Sequence, residues 1–264
     1  MNRIELLFKG LKMETKKALI PFITAGDPDL AATRDLIFML EECGAHIIEL
    51  GVPFSDPLAD GPVIQAASLR ALSQGIDLKK ILALVDEVRQ RTDIPLILMT
   101  YYNPVYQFGL EQLARQASMA GVDGFIIPDL PPEEAAEWMD LTKANNLDVI
   151  FLVAPNTPLF RARFVASKTT GFLYAVSVTG ITGKREGIPE GLSDYLKILR
   201  SITDKPLVIG FGISSPSQVK EIAPISDGVV VGSALVDLLA HHGNKKDGFI
   251  HARSFVNSIA NALP

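Results

Sequence analysis

In the stretch "ELGVPFSDPLADGP" (49–62), Glu49 stands between Ile48 and Leu50 at the end of an apolar run. Asp56 and Asp60 follow on a segment stiffened by Pro53, Pro57 and Pro62. Withdrawal from water disfavours a carboxylate and raises its pKa. A carboxyl group that titrates near neutrality can both give and take a proton. The alternative for Glu49 is a structural acid paired with an arginine or lysine elsewhere in the core. From spacing alone Asp60 reads either as a second functional acid or as the cap of a helix starting at Pro62. Asp27 and Asp29 in "AGDPDLAAT" read as turn and cap residues.

These acids must be held by a scaffold, and the rest of the chain describes one. Eight short apolar runs recur: 18–24, 46–50, 95–101, 124–129, 148–153, 172–177, 206–212 and 228–233. They are nearly continuous in apolar residues, as strands buried on both faces should be. Amphipathic helical patterns lie between them, and several end in Gly or Asn just before the next run. Such alternation predicts parallel pairing with right-handed crossovers and an α/β fold, a single-domain TIM (β/α)8 barrel over 1–264 with an extra N-terminal helix. The rival, an open doubly wound sheet, would carry G-x-G-x-x-G after its first strand, and "TAGDPD" does not. The extra helix (about 3–13) is placed to plug the barrel's bottom, with the final pattern "FIHARSFVNSIANAL" closing the fold. Side chains alternate along a strand, so Ile48 and Leu50 face the helices while Ile47, Glu49 and Gly51 face the lumen. Active sites of such barrels lie where strands end, which is where Glu49 falls.

Composition narrows the function classes. The chain has 264 residues, 48% hydrophobic and 21% charged, with a net charge of −5 and no basic cluster, which disfavours nucleic acid as a partner. No run reaches the ~18 apolar residues of a membrane span, and the amphipathic start lacks an apolar leader core. The single cysteine, Cys43, cannot form an internal disulfide, so a cytoplasmic location is expected.

"IIELGVPFSDPLADGPVIQAAS" resembles the signature of the tryptophan synthase α subunit family. "PFITAGDPD", "MTYYNP", "GVDGFIIPDLPPEE", "FLVAPNTP", "FLYAVSVTGITG", "GFGISSP" and "VVVGSA" follow in family order over nearly the whole chain. The resemblance implies cleavage of indole-3-glycerol phosphate to indole and glyceraldehyde 3-phosphate. It also implies transfer of indole to a pyridoxal phosphate-dependent β subunit, in an αββα heterotetramer, with no cofactor in this chain. Among residues it implies Glu49 as proton-transferring acid/base, Asp60 as partner of the indole N–H, and Tyr174 near the reacting end.

The residues support that chemistry on their own terms. Breaking a carbon–carbon bond in the retro-aldol sense needs an electron sink. A Schiff-base lysine is one solution, but no strand ends in lysine. A metal is another, but His46, His241, His242 and His251 form no ligand cluster at the top rim, and His46 begins its strand at the bottom; the expected metal content is none. An indole ring can itself hold the electrons: protonation at C3 gives an iminium-like cation, and a carboxylate facing N1–H stabilises it.

Glycine-bearing turns follow the sixth, seventh and eighth runs. Glycine lets backbone N–H groups approach an anion, and a helix N-terminus adds a favourable dipole, so Gly183, Gly212, Gly232 and Ser233 are assigned to phosphate. Phe22, Met99, Tyr101, Leu152 and Phe211, at or near strand tops, are assigned to a ring pocket. The glycine-rich stretch 177–191, with Thr182, Lys184 and Arg185, reads as a lid. Pro53, Asp56, Asn103 and Pro131 lie on top-rim loops and read as a partner-docking face. Two rivals remain: another phosphate-binding barrel enzyme, such as a sugar-phosphate isomerase, and a subunit whose main effect is to activate its partner.

Overall fold

The computed structural model describes residues 2–177, 191–210, 212–241 and 245–264. Its strands are β1 (Ala18–Thr24), β2 (Ile48–Gly51), β3 (Leu96–Met99), β4 (Gly124–Ile126), β5 (Asp148–Ile150), β6 (Leu152–Val153), β7 (Leu173–Val176), β8 (Leu207–Gly210) and β9 (Gly228–Val231). All pair in parallel, in the order β5-β4-β3-β2-β1-β9-β8-β7-β6. The two ends of that order, β5 and β6, are separated in the chain by Phe151 alone. They are two pieces of the fifth apolar run, so the ring closes as a barrel of eight strand positions with helices outside. The break falls where the Phe151 N–H donates to Thr169 Oγ1 (3.0 Å) and its carbonyl accepts from Tyr174 N (3.2 Å).

Alternation along the strands splits the core into two shells. Leu19, Ile23, Ile48, Leu50, Leu96 and Leu98 pack outward against helices. Ile20, Phe22, Ile47, Ile97, Ile126 and Ile150 fill the lumen. Glu49 shares the parity of Ile47 and pairs in register with Phe22 on β1 and Ile97 on β3. The strand phase read from the apolar pattern is the phase observed.

The barrel's bottom is closed by the helix Arg3–Met13. Ile4, Phe8 and Leu11, spaced on one helical face, join the lumenal cluster, and Phe8 meets Phe172 at 5.8 Å between ring centroids. Its start is tethered by polar contacts. Asn2 accepts from Glu5 N as the helix cap and donates to Asp148, and Arg3 Nη1 reaches Asp123 Oδ1 at 3.1 Å. Asp123 is 3% exposed and also accepts from Arg89 Nη2 (2.7 Å) and Leu96 N (2.8 Å). His46 likewise lies at the bottom, its Nδ1 accepting from Leu19 N at 3.1 Å.

At the opposite end Asp29 caps the helix Leu30–Glu42, accepting from Ala32 N at 2.7 Å. Asp27 does more than turn the chain: it holds Arg70 by a two-pronged ion pair at 2.8 and 2.7 Å. This ties the loop after β1 to the helix Pro62–Ser73.

Candidate active site

A narrow cavity opens at the C-terminal ends of the strands. It spans about 420 Å³ out to its mouth. Glu49 and Asp60 both line it, with Phe22, Met99, Tyr174, Gly212, Gly232 and Ser233. Eight residues picked from the sequence thus come together. Two more, Ile64 and Val230, complete the lining; as ordinary apolar side chains they carry no mark in the sequence to separate them from core.

Glu49 is 1% exposed. Burial, then the nearby charge of Asp60, pushes its pKa from 4.5 up to about 8. Its Oε2 has no hydrogen-bond partner among the described residues. No described arginine or lysine pairs with it, which removes the structural ion pair as its explanation among those residues. At neutral pH the group therefore holds its proton in an apolar socket.

Asp60 behaves differently. Burial raises its pKa to about 6, against the lowering effect of a hydrogen bond from Tyr101. It accepts from Tyr101 Oη at Oδ2 (3.0 Å), and its carbonyl accepts from Gln65 Nε2 (2.8 Å). The helix does begin at Pro62, but its cap is Gly61 and no side chain caps it. The carboxylate is aimed into the cavity and is not the helix cap.

Tyr174 is buried, and burial followed by the charges of Glu49 and Asp60 holds its hydroxyl well above the usual phenol range. It stays protonated at any physiological pH. Two lumenal glycines make room for the aromatic walls. A Cβ on Gly210 would come within 2.0 Å of Tyr174 Oη, and one on Gly51 within 2.4 Å of the Phe22 ring. At the other wall Ser233 begins the helix Ser233–His241, directing the positive end of a helix dipole at the cavity.

Other sequence-selected residues fall elsewhere. Leu152 is half-buried against the lumenal cluster, in register with Tyr174, but is not among the residues that line the cavity. Tyr101 turns its hydroxyl to the loop after β2, where it meets Asp60 and the Ala59 N–H, and it does not line the cavity. Asp56 and Asn103 are exposed on the rim and Pro131 is half-buried. Pro53 departs from the docking assignment: it is buried, because Val52 N still bonds Met99 O (2.8 Å) and the chain runs on along the top of β3. Thr182, Gly183, Lys184, Arg185 and Phe211 lie outside the described residues. Among the described residues no three His, Cys, Asp or Glu side chains gather as a metal-ligand set, and no helix is long and apolar enough to cross a membrane. A larger groove, about 1650 Å³ out to its mouth, runs outside the barrel between the helices Leu30–Glu42 and Lys245–Ala260. Its acids, Asp35 and Glu42, are solvent-exposed and paired with Arg34 and Arg253, so it lacks the desolvated carboxyl groups that mark the strand-end cavity.

Residues 8–263 match the family model described as tryptophan synthase alpha chain. The chain belongs to that family. It is 54% identical over 263 residues to the tryptophan synthase alpha chain of Geobacter sulfurreducens, covering 100% of this chain and 99% of the relative. It is 47% identical to that of Caldanaerobacter subterraneus subsp. tengcongensis, with full coverage of both. In three dimensions it superposes on the tryptophan synthase subunit alpha of Legionella pneumophila with a TM-score of 0.91 at 38% identity, covering 99% of this chain and 98% of that one. Its activity is accordingly that of a lyase in the tryptophan synthase reaction, and membership of the tryptophan synthase alpha chain family implies a β-subunit partner.

Proposed function

We propose that Glu49 and Asp60 divide the proton work of cleaving indole-3-glycerol phosphate into indole and glyceraldehyde 3-phosphate. The observation that carries this reading is the separation of the two acids: one holds its proton to about pH 8, the other releases it near pH 6. Between those values Glu49 is an acid and Asp60 an anion, the division of labour that catalysis by paired carboxyls requires. Glu49 protonates the ring at C3. Asp60 accepts a hydrogen bond from N1–H and stabilises the positive charge that develops there. Glu49, now a carboxylate, takes the proton of the side-chain hydroxyl next to the ring. The carbon–carbon bond breaks, its electrons return to the ring, and an aldehyde is left. Tyr174, permanently neutral, serves as a hydrogen-bond donor at the reacting end and not as a base.

Gly212, Gly232 and Ser233 hold the phosphate, with backbone N–H groups at the start of a helix; the apolar walls Phe22 and Met99 take the ring. Indole passes to the β subunit, where pyridoxal phosphate supplies the chemistry that joins it to serine, in an αββα assembly. Support for docking at the cavity mouth comes from Leu58, Tyr106 and Phe160, 86%, 62% and 77% exposed, on segments that follow strands β2, β3 and β6. The family's biosynthetic role supports a cytoplasmic location and a chain with no cofactor of its own.

The test is indole release from indole-3-glycerol phosphate, with and without purified β subunit. Glu49→Gln is expected to reduce it by about 10²-fold or more with an unchanged far-UV circular dichroism spectrum, and wild-type kcat/KM is expected to be bell-shaped, with limbs near pH 6 and 8. A folded Glu49→Gln variant that still releases indole at near wild-type rate would remove Glu49 from the mechanism.

A further inference from the structure

Tyr101 follows β3 by two residues and precedes the helix Tyr102–Phe108. Its side chain is 4% exposed and meets the loop after β2 at three points. The Ala59 N–H donates to Oη at 3.0 Å. Oη lies 3.0 Å from Asp60 Oδ2. The ring packs on Phe54 with centroids 5.4 Å apart. A tyrosine hydroxyl has a single hydrogen to give. Since the amide can only donate, that hydrogen goes to Asp60, and the direction of both bonds is fixed. One carboxylate oxygen is thereby taken. Among the described residues Asp60 Oδ1 receives no hydrogen bond, and it remains to face the cavity.

We propose that Tyr101 is a positioning residue for the cleavage: by holding Oδ2 it presents Asp60 Oδ1 to the ring N–H of the substrate and favours the ionised carboxylate. This inference rests on the role given to Asp60 above. Among the described residues, the groups that face Asp60 are Glu49 from β2 and Tyr174 from β7, and Asp129, from the segment after β4, faces Tyr101. None of them is a cation, so among these neighbours Tyr101 is the one that favours the anion, as the direction of its effect on Asp60 records.

The experiment compares the acid limb of kcat/KM for indole release in the wild-type chain, in Tyr101→Phe, and in a chain carrying 3-fluorotyrosine at position 101. Phenylalanine keeps the ring on Phe54 and removes both hydrogen bonds. Its acid limb is expected to move to higher pH, with kcat about tenfold lower, the scale of one bond to a charged group. KM is expected to change less than kcat. The fluorinated ring is nearly isosteric and a stronger donor, and its limb is expected to move to lower pH. Affinity for glycerol 3-phosphate, which probes the phosphate end alone, reports whether each variant is folded. Should Tyr101→Phe fail to fold, the fluorotyrosine chain decides by itself. A limb that stays in place when the hydroxyl's acidity changes overturns the proposal, and opposite shifts exclude a merely structural role. Asp60→Asn separates the two readings. If it keeps both activity and the acid limb, the role of Asp60 is wrong; if it loses them while the position-101 chains keep the wild-type limb, Tyr101 is not its positioner.

Discussion

Replacing Glu49 by glutamine should make the protein more stable at alkaline pH while destroying its activity. The free carboxyl group titrates near 4.5, and in the fold it titrates at about 8. Between those values the unfolded chain has released a proton that the folded chain retains. Folding therefore loses about 1.4 kcal/mol of stability per pH unit across the interval. The sign follows from the raised pKa: the contribution of Glu49 is neutral below pH 4.5 and grows steadily more unfavourable until it levels off above pH 8. The accumulated cost approaches roughly 5 kcal/mol at the plateau, and about 3 kcal/mol at pH 7. Glutamine has nearly the same shape and no proton to lose, so the variant escapes the cost. Asp60, raised to about 6 by burial, is present in both chains and largely cancels in the comparison. Urea unfolding followed by far-UV circular dichroism at pH 5, 7 and 8.5 measures the difference. With an m-value of about 3 kcal/mol/M, the midpoint of the variant should exceed wild type by about 1 M at pH 7, and the gap should close towards pH 5. A constant gap at every pH would mean that the amide merely packs differently. A variant less stable at pH 8.5 would mean that Glu49 is held as an anion by a cation, and the protonated-acid mechanism would fail.

Two further outcomes follow from particular contacts. Gly210→Ala drives a methyl group to within 2.0 Å of Tyr174 Oη and 2.5 Å of its Cζ; it should cost about 1–3 kcal/mol and most of the activity, and Tyr174→Phe in the same chain should restore part of the stability in a thermal melt. Asp123→Ala leaves the Arg89 guanidinium, 8% exposed, without its carboxylate; a loss of about 3–5 kcal/mol in denaturant titration, with KM unchanged because the pair lies at the barrel's bottom, is the expected result.

What could be read from the sequence was whatever repeats with a short period. Continuous apolar runs gave the strand positions, and alternation put Glu49 in the lumen because a one-residue error would reverse every side chain of the strand. The N-terminal helix was legible as a plug, and the structure shows that Ile4, Phe8 and Leu11 are the side chains that form it. Three things were hidden. The pause at Phe151 depends on Thr169 and Tyr174, distant in sequence. The fate of Asp60 depends on Tyr101, 41 residues away, so local spacing left cap and catalyst undecided. Pro53 lies in a proline-rich loop, yet packing along β3 buries it.

β1 alone separates β2, which leads into the loop bearing Asp60, from β9, which leads into Gly232 and Ser233. Neighbouring strands are about 4.8 Å apart, so the barrel wall works as a ruler with two divisions, about 10 Å, from the acids to the helix end. A molecule whose anionic tail lies much nearer its ring, or much farther from it, could satisfy one end only. Under the proposed placement of ring and phosphate, substrate length is gauged by strand count, a quantity that no loop substitution can alter.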